Sequence, residues 1–367
     1  MRIISGEMKR QFSLTILLLI LTLASVLAGC LGPDAGEGTA MFMSDQSNRR
    51  AQGTLSFPLD LLWSYETDAL VYTSPAVVGG RVYFGSNDGG VYALDADGKR
   101  IWRFGTDVFI SSSPAVSGGR VYIGSWDGNL YALDSESGDL QWKVAVGAVT
   151  GSSPLVSDGT IFIGGGHNVS AIRDSEIIWT YETGGSITSS PALNEGTIYI
   201  GSWDKHLYAL DSADGSLRWQ FVTEGLIYSS PAVVDGTVYF GSYDGGLYAV
   251  SEGELIWKYQ ADGAVYSSPA VEDGVVYFGS ADGNVYAVSE GSLLWTFNTG
   301  DKIFSSPLII DNALIIGSND GKVYALDKES GSSIWSFQVE DEIGSSPAVS
   351  DGRLYIGSRD KRLYAFG

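Results

Sequence analysis

The chain has 367 residues, of which 44% are hydrophobic and 12% aromatic, so it can bury a large core and does not belong to the disordered class. Its formal net charge of -21 repels phosphate backbones and anionic headgroups, which argues against nucleic acid as a partner. Forty-eight glycines and frequent Val, Ile, Tyr and Trp, without helical periodicity after residue 30, predict an all-β protein. The charge either favours a basic or neutral partner or only keeps the protein soluble.

The first thirty residues predict an export signal. Lys9 and Arg10 precede an apolar run that is short for a membrane span, and small residues follow it. Residues 27–30, Leu-Ala-Gly-Cys, resemble the bacterial lipobox, in which the signal is cut before a cysteine that carries a lipid. We therefore expect a signal peptide over 1–29 and lipidation of Cys30, the only cysteine. An ordinary cleaved signal or an uncleaved anchor is the alternative.

The next segment, residues 30–60, is polar and Gly-rich and has no apolar period. It predicts a flexible tether between the lipid and a folded domain over residues 61–367. The protein is then extracytoplasmic, on the periplasmic or cell-surface side, and touches the membrane only through its lipid.

A repeat of about 40 residues begins at residue 61 and is the strongest signal in the chain. Each repeat has a Ser/Thr-Ser-Pro motif and a tryptophan, and both recur at intervals of 37 to 40 residues. The prolines are Pro75, Pro114, Pro154, Pro191, Pro231, Pro269, Pro307 and Pro347. The tryptophans are Trp63, Trp102, Trp142, Trp179, Trp219, Trp257, Trp295 and Trp335.

Each repeat predicts four short strands. In the fifth they are 229–234, 237–242, 246–250 and 255–259, and Asp-Gly pairs at 235–236 and 244–245 supply the positive φ of tight hairpins. Eight such antiparallel meanders predict an eight-bladed β-propeller rather than an open solenoid of parallel coils. The first strand, 61–66, is a Trp strand without three preceding strands, and the last repeat lacks one, so we expect the N-terminal strand to complete blade eight.

Three hairpins, at 132–142, 209–219 and 325–335, share the pattern Ala-Leu-Asp followed by Gly and Trp. This pattern resembles the tryptophan-docking motif of the quinoprotein-like (PQQ-repeat) propellers. The resemblance implies that the eight tryptophans pack between neighbouring blades, while Asp and Gly shape the hairpin before each of them. Four repeats, those that end in Trp102, Trp179, Trp257 and Trp295, are one or two residues shorter and depart from the pattern.

The family includes quinone-dependent alcohol and sugar dehydrogenases, which hold PQQ over calcium beside a catalytic Asp, and non-enzymatic scaffolds of the BamB type. The insertions and the cysteine pair found in many of the dehydrogenases are missing here. An aspartate recurs at one turn position in seven repeats, which predicts hairpin chemistry rather than a catalytic base. These residues are Asp88, Asp127, Asp204, Asp244, Asp282, Asp320 and Asp360. His167 and His206 have no metal-ligand spacing, so we predict no catalytic residue, metal or cofactor.

Function is expected where equivalent positions differ. Before each Ser/Thr-Ser-Pro, at the channel mouth, the blades carry Tyr72, Ser111, Gly151, Thr188, Tyr228, Tyr266, Phe304 and Gly344, with blade three uncertain by one residue. Tyr72, Tyr228, Tyr266 and Phe304 are expected to form an arc opposite small residues. Trp126, Trp203 and Tyr243 precede turn aspartates that should open on the same face. These seven aromatics either form a binding site or pack between blades.

Three functions stay open at this point. The first is a monomeric, membrane-anchored scaffold that binds an envelope or cell-surface protein through the loop face of the propeller. The second is a binder of a small molecule or glycan at the channel mouth. The third, less favoured, is a PQQ-dependent dehydrogenase with calcium. Blade three, where Gly-Gly-Gly-His-Asn replaces Gly-Ser-x-Asp-Gly, could form a ligand notch or reflect neutral drift.

Overall fold

The computed structural model describes residues 53–149 and 151–367. Within these two ranges the chain is all-β, and its 32 strands form eight four-stranded antiparallel sheets. No helix in this part of the chain is long and apolar enough to cross a membrane. The predicted signal, Cys30 and most of the predicted tether lie outside the described residues.

Each blade contributes one sheet, and its strands follow one another outward from the channel. Blades one to four contain β2 (Ala76–Val78), β3 (Arg81–Gly85), β4 (Gly90–Leu94) and β5 (Arg100–Gly105); β6 (Ala115–Ser117), β7 (Arg120–Gly124), β8 (Asn129–Asp134) and β9 (Leu140–Ala145); β10 (Leu155–Ser157), β11 (Thr160–Gly165), β12 (Asn168–Arg173) and β13 (Glu176–Glu182); β14 (Ala192–Asn194), β15 (Thr197–Gly201), β16 (His206–Asp211) and β17 (Leu217–Val222). Blades five to eight contain β18 (Ala232–Val234), β19 (Thr237–Gly241), β20 (Gly246–Ser251) and β21 (Glu254–Gln260); β22 (Ala270–Glu272), β23 (Val275–Gly279), β24 (Asn284–Ser289) and β25 (Ser292–Asn298); β26 (Leu308–Ile310), β27 (Ala313–Gly317), β28 (Lys322–Asp327) and β29 (Ser333–Gln338); β30 (Ala348–Ser350), β31 (Arg353–Gly357) and β32 (Arg362–Phe366), with β1 (Leu61–Glu66) outermost.

The core lies between the blades. The second and third strands of each blade are rich in Val, Ile, Tyr and Phe and are buried on both faces, because each sheet is covered by its two neighbours. The outer strands alternate instead, as in Leu217–Val222. One of the eight apolar clusters joins Tyr199 and Leu207 of blade four to Val238 and Phe240 of blade five. A single meander would leave both faces exposed, so the ring is needed to bury them.

The N-terminal strand closes the ring as predicted. β1 pairs antiparallel with β32, and Asp60 and Gly367 exchange two backbone hydrogen bonds of 3.1 Å beyond that pair. The packed part of the chain begins before residue 61, because Leu55, Phe57 and Leu59 contact the apolar cluster between blades seven and eight. The last residues of the predicted tether therefore belong to the folded domain.

The tryptophans pack between blades, and the length of the facing hairpin decides whether the indole is hydrogen-bonded. Where the next blade has a long hairpin, the glycine of that hairpin lies against the indole ring. A backbone carbonyl of the same hairpin accepts the indole N–H, as Ser212 does from Trp179 at 3.0 Å. Blade eight has no such hairpin, and the carbonyl of Leu59 accepts from Trp335 at 3.0 Å instead. In the described residues, Trp142, Trp219 and Trp257 face two-residue turns and donate no such bond.

The two Asp-Gly pairs of blade five differ in their backbone conformation and in the role of the aspartate side chain. Asp235 and Gly236 both have positive φ, 50° and 74°, as predicted for a two-residue hairpin. At the other pair only Gly245 has positive φ, 84°, and Asp244 acts through its side chain. Its Oδ1 accepts the N–H of Gly246 at 2.8 Å, and its Oδ2 accepts the Tyr248 hydroxyl at 2.9 Å.

The same carboxylate also binds the chain that arrives from the preceding blade. Asp244 Oδ2 accepts the N–H groups of Glu224 and Gly225 at 3.0 and 3.1 Å. The other six turn aspartates accept a tyrosine hydroxyl four residues on in the same way. The repeated aspartates are therefore structural.

Acid should weaken this network. Burial opposes ionisation of Asp244, but its hydrogen bonds outweigh burial and hold its pKa below the ordinary value. A depressed pKa means that its contribution to folding is complete above about pH 4 and is lost as the pH falls through the folded-state pKa. We expect Asp244→Asn to have a lower free energy of unfolding than wild type at pH 6. Near pH 2, where the wild-type carboxylate is protonated, the difference between the two unfolding free energies should be smaller. Denaturant titrations across this range test the expectation, and a constant deficit would contradict it.

Candidate functional site

A funnel of about 690 Å³ opens at one end of the channel. All eight positions that precede a Ser/Thr-Ser-Pro motif line it, as expected. Gly151 occupies this position in blade three, which resolves the uncertainty of one residue there. The volume falls within the range of roughly 300–1,000 Å³ that is typical of small-ligand sites.

The backbone directs these side chains into the funnel by alternation. Ile227 is fully buried and packs against Gly201 of the preceding blade, and its N–H donates to the Ser202 carbonyl at 3.1 Å. The next residue in the extended chain, Tyr228, points the other way, into the funnel. A side chain on Gly201 would collide with Ile227, so this glycine is required for the close approach.

Three of the four predicted arc residues form one wall, which we call the aromatic wall: Tyr228, Tyr266 and Phe304. The ring centroids of Tyr228 and Tyr266 are 5.7 Å apart, and those of Tyr266 and Phe304 are 4.9 Å apart. Tyr228 and Phe304 nevertheless keep about 40% of their surface exposed. Burial, together with the Tyr243 hydroxyl, raises the pKa of Tyr266 to about 12, so its phenol is neutral at physiological pH. The rings therefore both pack between blades and remain available to a ligand.

The fourth arc residue, Tyr72, lies apart from this wall. The guanidinium carbon of Arg359 lies 5.3 Å from the centre of its ring, within cation–π range. Arg359 also forms an ion pair with Glu342. Among the described residues that line the funnel, these two are the only charged ones, and they neutralise each other.

The rim of the funnel carries the other predicted aromatics, Trp126, Trp203 and Tyr243. Their exposed fractions are 45%, 40% and 53%. Trp203 contacts Tyr228 and Tyr243 contacts Tyr266, at centroid distances of 6.1 and 5.6 Å, so both extend the aromatic wall outward.

The two rim tryptophans are held by hydroxyl groups on the funnel wall. The indole N–H of Trp126 donates to Ser111 at 2.7 Å, and that of Trp203 donates to Thr188 at 2.9 Å. Sequence reasoning missed Phe109, which is 52% exposed and packs at 6.2 Å against Trp126. The available signal was an aromatic residue at a repeat position where blades one and five have Leu70 and Leu226.

The floor of the funnel is a closed cycle of eight serines, which we call the serine ring. Each is the serine directly before a motif proline, and its backbone N–H donates at 2.9–3.0 Å to the Oγ of its counterpart in the next blade. The members are Ser74, Ser113, Ser153, Ser190, Ser230, Ser268, Ser306 and Ser346. All are buried against the protein yet line the funnel. Sequence reasoning noted the Ser-Pro pattern but missed this role.

Blade three lowers the rim at one point. Its second and third strands are joined by only two residues, Gly166 and His167, because Gly165 pairs directly with Asn168. The equivalent connection in blade five spans five residues, from Gly241 to Leu247, and carries Tyr243. Blade three therefore has no counterpart of the rim aromatics.

The donor set in the funnel does not fit a metal-bound quinone. A calcium ion requires several oxygen ligands, of which carboxylates are the usual charged members. Glu342 is the one carboxylate on the funnel, and Arg359 neutralises it. In residues 53–149 and 151–367, no three His, Cys, Asp or Glu side chains converge to hold a metal.

Comparisons with known proteins agree with the architecture. A family model described as "Beta-alanine-activating enzyme, beta-propeller" matches residues 110–367. No curated protein matches the chain. BamB from Moraxella catarrhalis has a similar structure, with a TM-score of 0.72 and 23% identity over 84% of this chain and 99% of that chain.

Two quinoprotein structures are also similar. The quinohemoprotein alcohol dehydrogenase ADHIIG from Pseudomonas putida HK5 has a TM-score of 0.75 and 16% identity, over 90% of this chain and 80% of that chain. A europium-containing methanol dehydrogenase has a TM-score of 0.75 and 15% identity, over 91% of this chain and 98% of that chain. At these identities, the three solved structures share the fold with this chain and nothing finer.

Proposed function

Because the chain belongs to the β-propeller family named for the β-alanine-activating enzyme, and its funnel lacks the donors of a metal-bound cofactor, we propose that it is a non-enzymatic scaffold. In this proposal, the loop face of the propeller binds an envelope or cell-surface protein. Cys30 carries the lipid that keeps the propeller on the extracytoplasmic side of a membrane, and 22 residues separate it from the first described residue.

The observation that carries the proposal is the continuity of the exposed aromatic surface. Trp203, Tyr228, Tyr266 and Tyr243 contact one another across blades four, five and six and rise from the funnel to its rim. Tryptophan and tyrosine in such clusters supply most of the binding energy at many protein interfaces, because they bury large areas at small entropic cost. The similar fold of BamB supports a scaffold, and the similar dehydrogenase folds support the enzymatic alternative equally at the level of fold alone.

The rim can be tested in native cells by crosslinking the full-length lipoprotein. We expect wild type to capture one specific protein, and Trp203→Ser with Tyr243→Ser to weaken that complex by about 2 kcal/mol or more, which is roughly 30-fold in Kd. Ile256→Ser with Leu294→Ser is the matched control, because these side chains are at least as exposed but lie on outer strands.

Equal capture by the rim variant and the control would overturn the assignment of the site. Specific capture of no protein by wild type would overturn the scaffold itself. Reduction of an artificial dye after addition of quinone and calcium would favour the dehydrogenase alternative.

A further inference from the structure

The serine ring leaves hydrogen-bond donors on the floor of the funnel. Each hydroxyl oxygen accepts a backbone N–H from the preceding blade. Accepting this bond does not use the hydrogen of the hydroxyl group. In the described part of the chain, seven of the hydroxyls donate to no protein group: Ser74, Ser113, Ser153, Ser190, Ser230, Ser268 and Ser346. An oxygen that accepts an N–H is polarised into a better donor, so the floor offers a circle of strengthened O–H groups.

The chemistry of the funnel changes with height. The hydroxyl circle lies below, and the aromatic wall of Tyr228, Tyr266 and Phe304 stands above it on one side. Smaller residues, Ser111, Gly151 and Thr188, line the opposite side. A ligand that fits must therefore present an apolar surface to the rings and several hydrogen-bonding groups to the floor.

The charge of the funnel limits the ligand further. Outside the mutually neutralised pair of Glu342 and Arg359, the lining residues carry no charge, although the whole protein has a net charge of -21. An anion would enter against that field without a free cation to receive it. A cation would find no unpaired carboxylate. The ligand that suits this lining is neutral.

The geometry of the aromatic wall distinguishes two classes of ligand that bind to aromatic rings, quaternary ammonium cations and neutral sugars. A cage for a quaternary ammonium needs rings that surround the cation. Here the rings pack against one another along an arc, with the planes of Tyr228 and Tyr266 inclined by 82° and those of Tyr266 and Phe304 by 54°. These three rings form a one-sided platform. Phe109 and Trp126, which also line the funnel, belong to blade two and pair with each other rather than with the wall. A one-sided platform suits the C–H face of a sugar ring, because the negative face of the aromatic ring attracts those hydrogens.

We propose that the funnel is a binding site for a neutral oligosaccharide, which stacks on Tyr228, Tyr266 and Phe304 and places its hydroxyl groups on the serine ring. Sugar hydroxyls both donate and accept, so they match hydroxyls that have one donor and one remaining lone pair each. The low rim at blade three leaves room for a chain longer than the funnel to pass out sideways. This site is additional to protein docking on the rim and does not depend on it.

The test is calorimetric titration of the full-length lipoprotein, held in a detergent without a sugar headgroup. The probes are four neutral trisaccharides, namely maltotriose, cellotriose, triacetylchitotriose and mannotriose, with trigalacturonic acid and choline as charged comparators. We expect at least one neutral trisaccharide to bind and both charged probes to fail. Tyr228→Ala should weaken the binding by about tenfold or more, whereas Tyr228→Phe, which keeps the ring, should change it less than about threefold.

A second variant, Ser230→Ala with Ser268→Ala, tests the serine ring. It removes two adjacent hydroxyl groups and should also weaken binding of the trisaccharide about tenfold. Thermal unfolding of every variant shows whether it is folded, and only folded variants are titrated. Binding of no neutral probe at millimolar concentration, preference for a charged probe, or full retention of binding in Tyr228→Ala would each overturn the proposal. The titration contains no protein partner, so its failure leaves the crosslinking result untouched, and the reverse also holds.

Discussion

A chain that starts at Thr67 should lose the closed ring and about 5 kcal/mol or more of unfolding free energy. Such a loss is comparable with the whole stability of a typical domain, about 5–15 kcal/mol, so we expect the truncated chain to be unfolded or partly molten at room temperature. The deletion removes β1, the fourth strand of blade eight, and with it the inter-blade packing of Trp63.

Several contacts explain why this one strand matters so much. Trp63 lies against Gly98 of blade one and donates its indole N–H to the Ala96 carbonyl at 2.9 Å. Tyr65 packs edge-on against Phe84 and Tyr92 of the same blade, at centroid distances of 6.2 and 5.8 Å. Without β1, blade one would expose the apolar side chains that these rings cover, and β32 would become an open edge.

The matched control is a chain that starts at Gly53. It keeps Leu55, Phe57 and Leu59, so every contact described for the closure is retained and its unfolding should match that of the wild-type protein. Denaturant unfolding of both truncated chains, followed by tryptophan fluorescence, gives the comparison. A cooperative transition of the Thr67 chain at the wild-type midpoint would show that closure contributes little.

Gly279→Ala should destabilise the propeller by about 1–3 kcal/mol through a single added methyl group. A Cβ at this position would lie 2.2 Å from Cγ2 of Ile303, which belongs to the chain entering the next blade and is fully buried. Since Ile303 cannot withdraw to solvent, the two blades must separate locally or the isoleucine must leave its rotamer.

Gly105→Ala serves as the control for this substitution. Gly105 also lies in a strand, but its Cβ would meet only the Arg103 side chain, at an ordinary 3.5 Å. Alanine there should be neutral or slightly stabilising, by up to about 1 kcal/mol, because it restricts the unfolded chain. If chemical denaturation showed the same effect for both variants, the inter-blade contact would not be the cause.

The repeat pattern predicted the architecture because each of its elements is local. Eight Trp strands and eight Ser-Pro motifs determine the number of blades, and the phase of Trp63 relative to Pro75 predicts that the first strand completes blade eight. The repeated turn aspartates were correctly assigned to structure, because a residue needed in seven blades alike cannot single out one site.

The site was only partly predictable, because its contacts join residues from different blades. The serine ring depends on the spacing of neighbouring blades, which no single repeat encodes. Tyr72 matches Tyr228 in position, yet it differs in surroundings because Arg359 and Glu342 lie in the adjacent blade eight. Phe109 occupies the repeat position of Leu70 and Leu226, and its role emerges only from its contact with Trp126.

Ring closure also makes the order of the blades independent of the positions of the chain ends. Asp60 and Gly367 exchange hydrogen bonds at the seam, and each Ser-Pro serine donates to the next blade around the whole circle, across the seam as elsewhere. A circularly permuted chain, with this seam joined and new termini opened in an exposed hairpin between two other strands, would preserve every strand pair and every member of the serine ring. The position of the termini can therefore vary without altering the funnel, so a terminal tether could be attached to any blade.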